Sequence, residues 1–367
     1  MAETAEWRLD DPAAIEEADP GSMLRQVASS AAQVRSALLA TQETDFGDLV
    51  GAGRPRAIVV SGMGGSGIAG DVLAAVCGTG SAVQIVSVHG YQLPGWVSAA
   101  DLVIAVSCSG STEETLAAAE DAVRRGCRLV GVGGASSPLA ALAEQARAPF
   151  VPVRSAGMPR STLWGLSIPL IGVAARFGLC EAGPEAHEAA AVALEGVSQR
   201  CRPDSDSFVN PAKSLALELA GKLPMIWGTS PLAGVAAYRF SCQLNENAKC
   251  PGIQGVLPEA NHNQVVALDG PFAPDQDGTE PAVPLHLVLL TDVREHPQVA
   301  KRRAASAQLA GERGIGVSEL TATGDHPLER LASLVQLIDY ATVYLGIALG
   351  YDPSPITAIQ ELKASIA

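Results

Sequence analysis

Aromatic side chains make up only 4% of this 367-residue chain and charged ones 17%, and it has no CxxC pair, no Lys/Arg-rich run and no uninterrupted apolar stretch of about 18 residues. Each shortage excludes something. Odd in number and scattered, Cys77, Cys108, Cys127, Cys180, Cys201, Cys242 and Cys250 read as reduced thiols, mostly small core residues, and not as a zinc knuckle or a disulfide frame. With 25 Lys and Arg against 39 Asp and Glu, the net charge of −14 leaves no footprint for the phosphate backbone of a nucleic acid. The start, MAETAEWRLDDPAAIEEADP, is acidic where a signal peptide is basic and then apolar, so the expectation is a cytoplasmic protein with no nucleic-acid or membrane partner. What abounds is apolar: 47% of the chain, enough for a large core, and at roughly 100 to 200 residues per domain the length suggests two domains.

Past the acidic leader, Met23, Leu24, Val27, Ala31, Val34, Leu38 and Leu39 recur near helical spacing and predict a helix before the first strand. Short apolar runs then alternate with helical ones: 57–60, 83–88, 102–106, 129–132 and 150–153. Rich in β-branched residues and not alternating with polar ones, they suit strands buried on both faces of a parallel sheet, so the first half reads as a five-stranded, three-layer α/β unit. The stretch from Leu163 to Phe177 predicts a helix despite Pro169, and an Ala-rich helix from Glu181 to Val197 ends in the polar break CRPDSDS, where an inter-domain connection is expected. Beyond it, PMIWGTSPLAGVAAYRF repeats the strand–turn–helix logic of AIVVSGMGGSGIAGDVLAAV, and LHLVLLTD echoes LVIAVSCSG. The second half therefore reads as a diverged copy of the first. The segment 268–284, rich in Pro, Asp and Gly, predicts a long exposed loop.

Two glycine-containing turns could carry chemistry. In Ser61-Gly-Met-Gly-Gly-Ser-Gly, Gly62, Gly64 and Gly67 satisfy GxGxxG directly after a strand, as in a dinucleotide site. The second strand, however, ends in His89-Gly90-Tyr91, without the acidic residue that would hold a ribose, so glycines that merely permit a tight turn are the competing reading. The other turn, Ser107-Cys-Ser-Gly-Ser-Thr-Glu-Glu-Thr115, gathers four hydroxyls (Ser107, Ser109, Ser111, Thr112) at a helix start, where backbone N–H groups and the dipole favour a phosphate dianion. A capping box with Ser111 as N-cap and Glu114 three residues on is the alternative. A cap needs one hydroxyl and the loop supplies four; without a lysine it is no nucleotide P-loop, and a small phosphate monoester fits better.

Polar residues crowd again in Asn245-Glu-Asn-Ala-Lys249 and Pro258-Glu-Ala-Asn-His-Asn263. Glu259 and His262 form an ExxH pair, but no second copy exists and no metal is expected. On spacing alone Glu246 and His262 are as consistent with a solvated loop pair as with catalysis. Arg160, after a proline, and Lys363, near the C-terminus, are ordinary surface residues when taken singly.

Together, SGMGGSGIAGD, SCSGSTEET, GMPR, NENAK, PEANHN and the terminal ELK stand in the order seen in the bifunctional phosphoglucose/phosphomannose isomerase family, which the chain resembles from about residue 56 to 367. The resemblance implies an α/β fold of two SIS (sugar isomerase, flavodoxin-like) three-layer α/β/α sandwich domains with parallel sheets, in a homodimer needing no metal or other cofactor. It divides the chain into an acidic leader and helix (1–55), a first SIS domain (56–176), a helical connection (177–210) and a second SIS domain (211–367). Gly64, Gly65 and Ser66 would floor a sugar-phosphate site, with Ser107, Ser109, Ser111 and Thr112 on the phosphate. Glu246 would match the family base, Arg160 its enediolate-stabilising guanidinium, and His262 and Lys363 its ring-opening pair, with His262 supplied across the subunit interface. The chain departs from the pattern at Cys108, where an aromatic is usual, at Ser111, where Asn is usual, in the 268–284 loop and in the leader.

The implied activity is interconversion of glucose 6-phosphate or mannose 6-phosphate with fructose 6-phosphate through a cis-enediol, and the residues suit it. One carboxylate can serve both proton steps because it faces both carbons of the enediol. An arginine holds the oxyanion without competing for the proton, and imidazole titrates near neutrality, as ring opening requires. An isomerase for another sugar phosphate, a non-catalytic sugar-phosphate sensor and a dinucleotide oxidoreductase are the alternatives.

Overall fold

The computed structural model describes residues 2–154, 157–275 and 277–366. It divides into two compact units, the first comprising Ser29–Ala193 with His326–Glu329, the second Met1–Ala28, Leu194–Asp325 and Arg330–Ala367. The division falls inside the helix Pro184–Arg200, and at the other end between Ala28 and Ser29. There the helix expected from Met23 onward is broken into Met23–Ala28 and Ser30–Glu43. Met23, Leu24, Val27, Ala31 and Val34 are buried as their spacing implied, but Ala37 and Thr41, not Leu39, continue the buried face of the second piece. After the break, the 3.6-residue period runs through 30, 34, 37 and 41, and this turns Leu39 outward.

In the first unit all five expected strands form: β1 (Ala57–Ser61), β2 (Gln84–Val88), β3 (Leu102–Ser107), β4 (Arg128–Gly133) and β5 (Phe150–Pro152). They are parallel in the order β2-β1-β3-β4-β5. β1 and β3 are buried throughout, which is why their sequences do not alternate. Val59, Val103, Ala105 and Leu129 pack with Ala118, Ala119, Ala122 and Leu139 on one face. Val60, on the other face, approaches Gly70 of the helix Gly65–Cys77, which packs on the helix Leu163–Arg176. The predicted three-layer unit is present. Because the chain leaves β1 for one neighbour and returns on its other side as β3, the loops after these two strands part around a crevice at their carboxyl ends.

The second unit holds β6 (Leu223–Gly228), β7 (Ile253–Val256), β8 (Leu285–Thr291) and β9 (Gly316–Thr321), parallel in the order β7-β6-β8-β9. It repeats the first unit's strand–turn–helix step in β6 and the helix Pro231–Gln243, as the internal similarity implied. CRPDSDS is no loose linker within this unit. It wraps the buried Lys213, whose Nζ donates to the carbonyls of Pro203 (2.8 Å) and Ser205 (2.7 Å). The leader joins the same knot, Asp10 accepting from the backbone N–H (2.7 Å) and hydroxyl (2.8 Å) of Ser207. The described residues of the 268–284 segment are largely exposed beyond Leu268. Pro327–Ala348 is, among the described residues, the one helix long and apolar enough to cross a membrane, but 94% of its most apolar window is buried. Gln336 and Asp339 are sealed within it by hydrogen bonds to Val27 and Arg239, as in a core helix.

Candidate active site

Both turns picked out by sequence emerge at the crevice of the first unit. Gly64 adopts φ +54, a left-handed conformation in which only glycine is at ease, and a Cβ there would meet nothing within 4 Å. The turn is therefore open above its own backbone. Ser66 is buried and its Oγ accepts from the N–H of Cys108 at 3.2 Å, so the glycine turn and the hydroxyl turn are stitched together. From beneath, Gly133 supports the latter: a Cβ there would lie 2.0 Å from the carbonyl oxygen of Ser107.

The four hydroxyls do different work. Ser107 is buried, accepts from the N–H of Gly110 (3.0 Å) and shares a 2.9 Å hydrogen bond with Thr112 Oγ1, so it shapes the loop from inside. Ser109 and Ser111 are exposed, and Ser111 donates to Ser109 Oγ through its N–H (3.2 Å) and its hydroxyl (3.0 Å). The capping-box alternative is not what forms. The N-cap of the helix Glu113–Arg124 is Thr112, whose side chain makes no capping bond.

Arg160 arrives from the other side of the glycine turn. It sits in a short 3-10 helix, Pro159–Ser161, and is 4% exposed. A Cβ on Gly65 would lie 3.6 Å from its Cα, so the two backbones are neighbours. Three motifs separated by up to about a hundred residues thus meet within one unit. Where a dinucleotide site would present a carboxylate, His89 Nδ1 instead contacts the carbonyl oxygen of Gly62 at 3.0 Å, and the ring fills the space beside Gly67. That tight approach answers why Gly67 is glycine without invoking a cofactor.

The second unit carries Glu246, His262 and Lys363. Glu246 lies in a π-helical turn, Leu244–Ala248, that prolongs the helix Pro231–Gln243. Its neighbours in NENAK are structural ties. Asn245 Nδ2 donates to Ser241 O (2.7 Å), the buried Asn247 Nδ2 to Thr342 Oγ1 (3.0 Å), and Lys249 Nζ to the carbonyl of Glu246 itself (2.6 Å). The polar crowding that pointed to a site is thus mainly scaffolding around one half-buried carboxylate.

Exposed His262 ends a 3-10 helix, Glu259–His262, and Glu259 accepts from Asn263 Nδ2 (3.1 Å). Glu246 precedes β7 and His262 follows it, off opposite ends of a strand whose four residues span about 13 Å. In one copy of the chain the two residues therefore flank β7 from its two ends. Lys363 lies on the terminal helix Thr357–Ile366, which has no buried residue. Sequence reasoning missed Gly133, whose small size is legible only once β4 is beside β3, and Lys249, whose partners include residues a hundred positions away.

Comparison with known proteins gives the family. Residues 208–366 match the bacterial phospho-glucose isomerase C-terminal SIS domain. The bifunctional phosphoglucose/phosphomannose isomerase of Caldicellulosiruptor bescii is 32% identical over 312 residues, 84% of this chain and 89% of that one. Its namesake from Thermoplasma acidophilum is 29% identical over 84% of this chain and 89% of its own. Among solved structures, a hypothetical protein from Thermus thermophilus superposes with a TM-score of 0.72 at 17% identity, covering 100% of this chain and 94% of the other, which speaks for the fold alone. On the strength of the first relative, the chain belongs to the bifunctional phosphoglucose/phosphomannose isomerase family.

Proposed function

We propose that the protein is an aldose–ketose isomerase that interconverts glucose 6-phosphate and mannose 6-phosphate with fructose 6-phosphate. The observation that carries the reading is the meeting of the glycine turn, the hydroxyl loop and Arg160 at the switch point of the first sheet. The exposed Ser109 and Ser111, with Thr112 at an uncapped helix start, bind the phosphate, and Gly64 leaves room for the sugar above the turn. Phosphate binding anchors the substrate away from the reacting carbons and so supplies positioning energy.

Glu246 shuttles the proton between C2 and C1, Arg160 holds the enediolate oxygen, and His262 with Lys363 opens the ring. With Glu246 and His262 off opposite ends of β7, the working site takes His262 from a second copy, which makes a cytoplasmic homodimer the functional form. The proton chemistry needs no redox cofactor and no metal, since an arginine suffices for the oxyanion. An assay coupling fructose 6-phosphate formation to each aldose phosphate in turn tests the reading. Formation from both, with solvent deuterium entering C1 of the fructose 6-phosphate, is expected. Unaltered sugar phosphates after long incubation would leave only a sensor.

A further inference from the structure

We propose that Lys249 is a positioning residue that fixes the carboxylate-bearing turn of Glu246 and the root of the Lys363 helix in one geometry; this rests on the isomerase reading of those two side chains. Lys249 closes the π-helical turn with φ +57, a conformation costly for a lysine and retained only where the surroundings enforce it. Its Nζ donates to the carbonyls of Glu246 (2.6 Å), Pro355 (2.8 Å) and Pro353 (3.4 Å). An ammonium has three protons, and three carbonyls converge on it.

Two of those carbonyls belong to the segment that leads directly into Thr357–Ile366. The clamp therefore joins residue 246 to residues 353 and 355 across more than a hundred positions of chain. Asn247 anchors the same turn from its other side through Thr342, so Glu246 is framed before and behind. A π-helical turn on its own is an uncommon, easily relaxed conformation. Releasing its last residue lets the carboxylate drift relative to the sugar, and a displacement of about 1 Å at a proton-transfer site costs on the order of 100-fold in rate.

The test compares Lys249→Met, which keeps the stem but donates nothing, with Lys249→Ala in the full-length protein. The expected result is a kcat lower by roughly 10- to 100-fold with KM for the sugar phosphate little changed, since the phosphate loop is untouched. Lys249 is exposed, so added methylammonium should restore part of the lost kcat to Lys249→Ala in a saturable way. Hydrogen exchange in peptides covering 244–250 and 351–366 should rise together while β6 and β8 stay protected. Parent-like kcat in both variants overturns the proposal, as does exchange that rises across the whole second unit, which would make Lys249 a general stability residue. If the wild-type protein itself isomerises neither aldose phosphate, the isomerase reading falls and takes this role with it; an active wild type with unaffected variants removes this role alone.

Discussion

Glu246 is the side chain most exposed to direct trial. Glu246→Gln keeps shape and hydrogen bonding but removes the proton acceptor, so kcat is expected to drop by about two to four orders of magnitude with KM little changed. Solvent exchange of the C2 hydrogen at the parent rate in this variant would show that another group is the base. In the hydroxyl loop, Ser109→Ala and Thr112→Val should raise KM for the sugar phosphate; Ser109→Ala should leave the melting temperature near that of the parent, since an exposed loop hydroxyl adds little to stability, whereas Thr112→Val also takes a partner from buried Ser107. Ser107 is different: buried, and bonded to Gly110 and Thr112, it holds the loop's shape. Parent-like affinity of the Ser109 and Thr112 variants for substrate and for inorganic phosphate would remove the phosphate cradle. At this scale the sequence was informative where chemistry is local. Four hydroxyls in six residues announce themselves, whereas the part Lys249 plays depends on carbonyls that only folding brings near.

At the scale of elements, strands buried on both faces were the easiest feature to read, because the rule that such strands are unbroken apolar runs has few competitors. The break at Ser29 was harder, since Met23 to Val34 keeps an apolar face through it and nothing local marks where the chain passes from one compact unit to the other. A polar triplet between elements was wholly invisible: buried His286 near the start of β8, buried Ser318 on β9 and exposed Glu218 on the preceding helix Pro211–Leu219. The Ser318 hydroxyl donates to Glu218, so it accepts from His286 Nε2 at 2.7 Å and fixes the neutral tautomer; Nδ1 is left buried against Gly316 without a hydrogen-bond partner. Burial, and secondarily the charge of Lys222, push the His286 pKa down from 6.5 to about 4. The sign follows from linkage. Between pH 6.5 and 4 the unfolded chain takes up a proton here that the folded chain refuses, so stability falls as pH falls through that window and levels off below it. The contribution is about 3 kcal/mol. Urea unfolding from pH 7 to pH 4 should show a steeper loss for the parent than for His286→Gln, and identical slopes would mean that the imidazole is not held neutral.

For the molecule as a whole, the question is whether the proposed site draws His262 from a second copy of the chain. Sequence alone left open whether His262 folds back onto its own subunit, since Pro251, Pro258 and two glycines between it and Glu246 disfavour one continuous helix and allow the chain to project outward. The fold narrows this. The helix after β6 runs back along the sheet to deliver Glu246 to the start of β7, and β7 then carries the chain to the far end, where Leu257 donates to Gly228 and the turn with His262 begins. Placement of the two residues beyond opposite ends of β7 is what supports the proposal of a site shared between two copies. Symmetry supplies an arithmetic test. Glu246→Gln and His262→Ala, each expected to be nearly inactive alone, are co-expressed with different affinity tags, and the doubly tagged dimer is isolated. In that dimer one site collects both lesions and the other draws an intact glutamate from one chain and an intact histidine from its partner, so about half of wild-type activity should return. Unfolding and remixing the two variants without tag selection should give about a quarter, because only half of randomly paired dimers are mixed. If His262 serves its own chain, every site in every dimer keeps one lesion. A purified mixed dimer as inactive as its parents would therefore refute the shared site, while leaving the phosphate loop and the base to be judged by their own variants.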